Sequence, residues 1–190
     1  YLSQLSALCR EQNVLLIADE IQTGLGRTGR MFACDHEDVM PDMYILGKAL
    51  SGGFYPVSAV VSRRDVLDVF GPGSHGSTFG GNPLGCAVAR TALRVLDDEG
   101  LVERSAELGA WWLSQLRTIQ HPSIVGMRGR GLMIAIELNE KARPFCEALK
   151  ERGMLCKETH DFVIRLSPPL VVSRDDLAWA VEQLRAVFAV

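Results

Sequence analysis

Apolar residues along this chain come in two arrangements, spaced at helical intervals or packed into short unbroken blocks. Leu2, Leu5, Leu8 and Cys9 recur at helical spacing and predict a helix over 1–12. Residues 14–18 form a continuous apolar run of strand length, the pattern of a strand buried on both faces. After a glycine-rich loop, "MYILGKAL" predicts a second short buried strand ending in Lys48. "YPVSAVVS" predicts a third after the Ser51-Gly52-Gly53 turn. Asn82-Pro83 opens a helix at a position where the missing N–H of proline costs nothing. Its predicted buried stripe is Leu84, Val88, Thr91 or Ala92, and Val95, and Gly100 ends it.

Residues 101–119 predict another amphipathic helix, and after His121-Pro122 the pattern changes. "IVGMRGRGLMIAIEL" reads as two strands around a glycine turn, followed by a helix over 142–152 and strands near Leu155 and at "FVIRL". A last helix starts at Ser173, with Asp176 placed for a capping box and Leu177, Val181, Leu184 and Phe188 as its core stripe. Helices alternating with buried strands predict an α/β fold with a mostly parallel sheet, and a domain boundary near residue 100.

Composition narrows the function classes. In 190 residues, 47% hydrophobic and 23% charged, there is material for a globular core. A formal net charge of −3 gives no electrostatic case for nucleic acid or an anionic membrane. The five cysteines (Cys9, Cys34, Cys86, Cys146, Cys156) are odd in number and scattered, which predicts reduced thiols in a cytoplasmic protein, with no disulfide framework and no metal site. No run approaches the roughly 18 apolar residues of a membrane span. The chain begins with Tyr1, inside a predicted helix, which suggests part of a larger protein.

Candidate chemistry concentrates in "VLLIADEIQTGLGRTG". Gly24, Gly26 and Gly29 spell G-x-G-x-x-G, yet no apolar-periodic helix follows them, as a dinucleotide site requires. The apolar run before Asp19-Glu20 resembles a magnesium-binding ATPase strand, but the chain has no G-x-x-x-x-G-K-[ST]. What remains is Asp19 at the C-terminal end of a strand, where ligands sit in open α/β sheets; alone, it reads first as an ion-paired or loop-capping carboxylate. Lys48, between Gly47 and Ala49, reads alone as a snorkelling lysine. If desolvated, it is instead an amine suited to Schiff-base formation. Together the two fit pyridoxal 5'-phosphate, the lysine carrying the cofactor and the aspartate keeping the ring nitrogen protonated. "HGSTFGGNP", with Ser77 and Thr78 before a helix start, suits the phosphate.

"ADEIQTGLGRTG" (18–29), "LGKALSGGFYPVSAV" (46–60), "HGSTFGGNPLGC" (75–86) and "IRLSPPL" (164–170) resemble, in order and spacing, the class III (ornithine-type) aminotransferases over essentially the whole chain. The resemblance implies the C-terminal half of a fold type I (aspartate aminotransferase-like) transferase. Residues 1–100 would be the back part of the large cofactor-binding domain and 101–190 the small α/β C-terminal domain. It implies that Lys48 carries the cofactor and shuttles the proton, Asp19 pairs with the pyridine nitrogen, Ile21 packs on the ring and Gln22 bonds the ring hydroxyl. Thr78 would reach the phosphate of the neighbouring subunit of a homodimer. Arg165, otherwise read as an interstrand surface ion pair, matches the arginine that binds a substrate carboxylate, a role suited to its planar fork.

The reaction implied is transfer of the δ-amino group of ornithine to 2-oxoglutarate, giving glutamate semialdehyde and glutamate. Acetylornithine or 4-aminobutyrate transamination is the runner-up. A third reading is a truncated or split non-catalytic half that needs a partner chain. The family's same-subunit phosphate loop and ring-stacking aromatic have no counterpart here, so the N-terminal half, on the same or a separate chain, is expected as a partner. At Asp161-Phe162 the chain departs from relatives that often carry Gly and a polar residue. His75 is expected as a loop hydrogen-bonder, His36 in a solvated turn, and Trp111-Trp112 in helix packing.

Overall fold

The computed structural model describes residues 1–189, which divide into two compact units: residues 1–26 with 30–100, and Arg27–Gly29 with the chain from Leu101 onward.

Unit 1 is built on three strands, β1 (Ile17–Asp19), β2 (Met43–Leu46) and β3 (Ala59–Ser62), in that order. β1 and β2 are parallel with Ile17 beside Met43 and Asp19 beside Ile45. β3 returns antiparallel to β2, because the connection 47–58 holds only a 3-10 turn and no helical crossover. Helix α1 (Leu2–Glu11) precedes the sheet; α2 (Arg64–Leu67) and α3 (Pro83–Asp98) follow it. Asn82 caps α3, its Oδ1 accepting from the Gly85 N–H at 2.8 Å, with Pro83 in the first turn.

Several expectations for unit 1 need correction. The block 14–18 is not a strand buried on both faces: the strand is Ile17–Asp19, and Val14, Leu15 and Ile17 are 57%, 48% and 50% exposed. β1 lies at the sheet edge, so only β2 covers it. β2 stops at Leu46, before Lys48. β3 begins at Ala59 and not Tyr55, as Pro56 has no N–H to give a ladder. On α3 the buried positions are Gly85 and Leu96, whereas Leu84 and Val95 of the expected stripe are exposed. His75 makes a ring contact with Phe70, centroids 5.6 Å apart.

Unit 2 packs α4 (Leu101–Leu116), α5 (Arg143–Glu151) and α6 (Arg174–Phe188) with an antiparallel sheet of β4 (Ile124–Arg130), β5 (Met133–Leu138), β6 (Lys157–Thr159) and β7 (Val163–Leu166), ordered β4-β5-β7-β6. Ile134, Ile136 and Leu138 alternate into one core with Trp112, Leu116, Leu149, Ile164, Leu166, Leu177 and Leu184. The predicted stripe of α6 is wholly buried. Its capping box forms: Ser173 Oγ accepts from the Asp176 N–H at 3.0 Å, and Asp176 Oδ2 accepts from the Ser173 N–H at 3.3 Å. Trp112 is a core residue, while Trp111 lies under the Arg174 guanidinium at 4.5 Å. Leu155, 83% exposed, falls outside β6. The Asp161 departure sits at φ +58, a left-handed position that Asp tolerates better than most side chains.

Three backbones meet in unit 2 at glycines. A Cβ on Gly109 of α4 would lie 2.0 Å from the Gly131 carbonyl oxygen, and one on Gly131 would lie 2.4 Å from the Gly29 nitrogen. Gly109→Ala should therefore destabilise unit 2 by about 3 kcal/mol, the upper end of overpacking costs. Gly126→Ala, whose Cβ meets nothing within 4 Å, should change stability by less than about 0.5 kcal/mol. Denaturant unfolding followed by the fluorescence of buried Trp112 measures both; equal effects would contradict the packing.

Candidate active site

Strands that run parallel end at the same edge of their sheet, so β1 and β2 deliver their C-terminal residues together. Asp19, the last residue of β1, is exposed, and its Oδ1 accepts from the Ile21 N–H at 3.1 Å. This bond turns the backbone sharply and fixes the carboxylate at the strand end. Among the described residues, its other oxygen has no partner.

Glu20 points the opposite way and is 4% exposed. Its N–H donates to the Ile45 carbonyl at 3.0 Å, extending the ladder one residue beyond Asp19. Oε1 accepts from the Cys34 N–H at 3.0 Å, Oε2 accepts from the Thr23 hydroxyl, and the Glu20 carbonyl accepts from the Gly24 N–H at 2.9 Å. A buried carboxylate thereby ties down the turn that carries Asp19, Ile21 and Gln22. Burial, then the Glu20 carboxylate, pushes the Cys34 thiol up to about 11. Burial, with Cys34 beside it, pushes the Tyr44 hydroxyl up to about 12.

Lys48 opens the 3-10 turn Lys48–Ser51 with φ +45, a conformation a side chain adopts at a cost on the order of 1–2 kcal/mol. It is exposed, as the snorkelling reading expects and the desolvated one does not, because β2 ends before it. Its Nζ donates to Gln22 Oε1 at 3.5 Å, and a Cβ on Gly47 would sit 3.5 Å from Ile21 Cγ2. Asp19, Ile21, Gln22 and Lys48 thus share one sheet edge.

Lys48 also lines a cavity of about 520 Å³ with Ser51, Tyr55, Ser77, Asn82 and Cys86 among its walls. Ser77 Oγ accepts from the Gly80 N–H at 2.8 Å, leaving its own proton free to donate. Thr78, next to it, is exposed and does not line this cavity.

These residues fit pyridoxal phosphate by donor chemistry. A carboxylate with a free oxygen suits a protonated ring nitrogen, and a primary amine suits an aldehyde. A Gln amide whose oxygen already faces Lys48 leaves its N–H₂ for a ring hydroxyl.

Arg165 stands on β7 in unit 2, opposite Ala135 of β5 and Lys157 of β6. Among the described residues, its side chain forms no hydrogen bond or ion pair. The interstrand ion pair considered from the sequence is absent, since the residue opposite is another cation. Two like charges facing each other across strands disfavour the sheet and favour an anion beside them. Sequence reasoning missed Glu20, which it took only as half of an Asp-Glu pair, and missed the wall residues Tyr55, Asn82 and Cys86, whose pattern signals nothing by itself.

The profile of the aminotransferase class-III family matches residues 1–188. The ornithine aminotransferase of Geobacillus sp. (strain WCH70) is 61% identical over 189 residues, covering 100% of this chain and 48% of that protein. That of Bacillus subtilis (strain 168) is 60% identical, covering 98% and 47%. The chain spans about half the length of these relatives. Among solved structures, acetylornithine aminotransferase from Elizabethkingia anophelis matches with TM-score 0.95 and 50% identity, covering 99% of this chain and 49% of that one. An ornithine aminotransferase of Toxoplasma gondii, with partial occupancy of PLP at its active site, matches with TM-score 0.96 and 49% identity, covering 100% and 46%.

The two raised acids set a pH window. Burial favours the neutral thiol and phenol, so their contribution to stability is full below the free values, 9.0 for Cys34 and 10.0 for Tyr44. It is lost as the pH rises through about 11 and about 12 respectively. Thermal melting of unit 1 should therefore fall above pH 9. In native protein at pH 8, iodoacetamide should label the exposed Cys86 and spare Cys34. Peptide mass spectrometry reads the labelling; fast labelling of Cys34 would show that the Glu20 knot is open.

Proposed function

The chain belongs to the class III aminotransferases, and from this membership we propose that it supplies the lysine, the aspartate and the substrate arginine of an ornithine–oxo-acid aminotransferase. The observation that carries the reading is the gathering of Asp19, Gln22 and Lys48 at the common end of two parallel strands. Bound pyridoxal 5'-phosphate, the cofactor of this family, supplies an electron sink for negative charge at the carbon bearing the amino group.

The chain's own residues would serve that chemistry as follows. The Lys48 amine is the attachment point and then carries the proton to and from the substrate carbon. Asp19 holds a proton on the ring nitrogen, so the ring stays electron-withdrawing. Gln22 donates to the ring hydroxyl and Ile21 packs on the ring face. Ser77 and Thr78 hold phosphate, with exposed Thr78 serving a second copy of the enzyme in a homodimer. Arg165 binds the carboxylate beside the reacting carbon of 2-oxoglutarate, the acceptor that takes up the δ-amino group of ornithine.

The two ornithine aminotransferases at about 60% identity support ornithine as donor. The likeness to the Elizabethkingia acetylornithine enzyme supports the second reading, an acetylated donor. Unit 1 would then be part of the large domain and unit 2 the small domain. Exposed apolar side chains at Val14, Leu15, Ile17, Val60 and Val61 support further protein covering unit 1, supplied by the half of the relatives' length that this chain does not span. Five free cysteines suit a cytoplasmic enzyme.

Borohydride treatment of the full-length holoenzyme should fix the cofactor to the peptide containing Lys48; a label elsewhere, or none, would refute the assignment. Asp19→Ala should retain part of the cofactor yet lose several kcal/mol of barrier lowering, at about 1.4 kcal/mol per tenfold in rate. Arg165→Lys keeps the charge and loses the fork. It should impair the 2-oxoglutarate half-reaction by about 1.5–3 kcal/mol and the ornithine half-reaction far less. Single-turnover absorbance of the two half-reactions reads the difference, and equal damage would remove Arg165 from this role. The 190-residue chain expressed alone should not transaminate ornithine.

A further inference from the structure

The β5–β7 ladder pairs Ile134 with Leu166 and Ala135 with Arg165, so continuing its register would set Met133 beside Ser167 and then Leu132 beside Pro168. Pro168 has no N–H, and the ladder cannot continue there. Both strands are left with a carbonyl at this end, and Leu132 is fully buried at 0% exposure. An unmet buried backbone group would be costly.

Arg27 resolves the problem. Its Nη1 donates to the Leu132 carbonyl at 3.1 Å and to the Pro168 carbonyl at 2.5 Å, bridging the two strands with one guanidinium nitrogen. The Arg27 carbonyl accepts from the Leu132 N–H at 3.1 Å, which satisfies the buried donor as well. Ser105 Oγ adds contacts at 3.3 Å to the Leu132 N–H and 3.5 Å to the Arg27 carbonyl. The segment is stiff at its source, because Gly29 is wedged against Gly131 and Ala106 backbone atoms.

Burial lowers the Arg27 guanidinium from its ordinary value, and among the described residues no carboxylate compensates it. A half-buried cation spent on two carbonyls is an expensive strand clip unless the strand it holds must be placed accurately. That strand is β7, and the clipped carbonyl lies three residues beyond Arg165.

We propose that Arg27 is a positioning residue for Arg165: by closing the open end of the β5–β7 ladder, it fixes the strand from which Arg165 presents its fork to a substrate carboxylate. The inference rests on the reading of Arg165 as the carboxylate-binding residue. Bidentate recognition depends on geometry more than on charge, so slack at the strand end weakens carboxylate binding without touching the cofactor edge in unit 1.

The test compares Arg27→Met, Arg27→Lys and Arg165→Lys in the full-length holoenzyme. Arg27→Met keeps the stem and removes every donor. It should raise KM for 2-oxoglutarate and the dissociation constant of unreactive glutarate, measured by calorimetry, by about tenfold, the scale of one or two lost hydrogen bonds. The ornithine half-reaction rate and the cofactor absorbance should change less than about twofold, since Arg27 shares no partner with Asp19, Gln22 or Lys48. Arg27→Lys retains one donor group and should restore part of the affinity, with KM about threefold above the native value.

If Arg27→Met does not fold, Arg27→Lys alone decides: a native KM for 2-oxoglutarate overturns the proposal. Equal loss in both half-reactions by a folded Arg27→Met variant also overturns it, since a merely structural clip would act on both. If Arg165→Lys leaves glutarate binding unchanged, the reading of Arg165 itself has failed. If Arg165→Lys weakens glutarate binding and Arg27→Met does not, only the positioning role has failed.

Discussion

The parallel pairing of β1 with β2 is the constraint on which the candidate site depends. With Asp19 in register with Ile45, the parallel direction forces both strands to finish at one edge. The residues that follow, Ile21 and Gln22 on one strand and Gly47 and Lys48 on the other, then meet without a long loop. An antiparallel arrangement of the same two segments would put Asp19 and Lys48 at opposite edges. The antiparallel return of β3 serves a different purpose. It brings residues 55–58 back past the end of β2, where they form one wall of the cavity that Lys48 lines.

The two units hide apolar surface very differently. Unit 2 has a full core in which α4, α5 and α6 cover one sheet, and Trp112, Leu116 and Ile136 within it are almost wholly buried. Unit 1 buries isolated residues such as Leu25, Leu46 and Leu50, while its strands show Ile17, Val60 and Val61 to solvent. A three-stranded sheet must pack against further layers to bury its faces, and the apolar side chains of β1 and β3 remain exposed within unit 1. This contrast explains where sequence reasoning worked. In unit 2 the stripe of α6 and the two strands around the glycine turn were legible because local pattern and local burial coincide there. In unit 1 the block 14–18 and the stripe of α3 reported burial that the unit itself does not provide, and a periodicity argument has no way to name what covers a face.

The site was legible to a similar, uneven degree. Asp19 and Lys48 stood out because each is a charged residue at the end of an apolar block. Gln22, Ile21, Thr78 and Arg165 were reached only through whole motifs, since an isolated glutamine or threonine carries no physical signal. Arg27 could not have been read as a strand clip, because its partners, Leu132 and Pro168, are remote in sequence and bind it through carbonyls that every residue possesses. Lys48 left two readings open from its residues alone, a snorkelling head and a desolvated amine, and its exposure agrees with the first. An apolar run before a lysine suggests burial, yet the strand ends at Leu46 and the backbone turns at Lys48 itself, which stands at φ +45.

The adjacent acids Asp19 and Glu20 show how one register separates structure from chemistry. Side chains alternate across a strand, so two consecutive carboxylates must face opposite ways. Glu20 goes inward, where the Cys34 N–H and the Thr23 hydroxyl satisfy it, and Asp19 goes outward with one oxygen that meets no partner among the described residues. Neither could do the other's work. An inward Asp is one methylene too short to span to Cys34 from the same backbone, and an outward Glu would be too flexible to hold a fixed position at a strand end. A one-residue slip of β1 against β2 would exchange the two faces, turning Asp19 inward and pulling Glu20 away from the Cys34 N–H and the Thr23 hydroxyl. The Glu20 N–H bond to the Ile45 carbonyl, just past the last strand pair, resists that slip. The residue that looks redundant beside Asp19 is therefore part of what keeps Asp19 pointing outward.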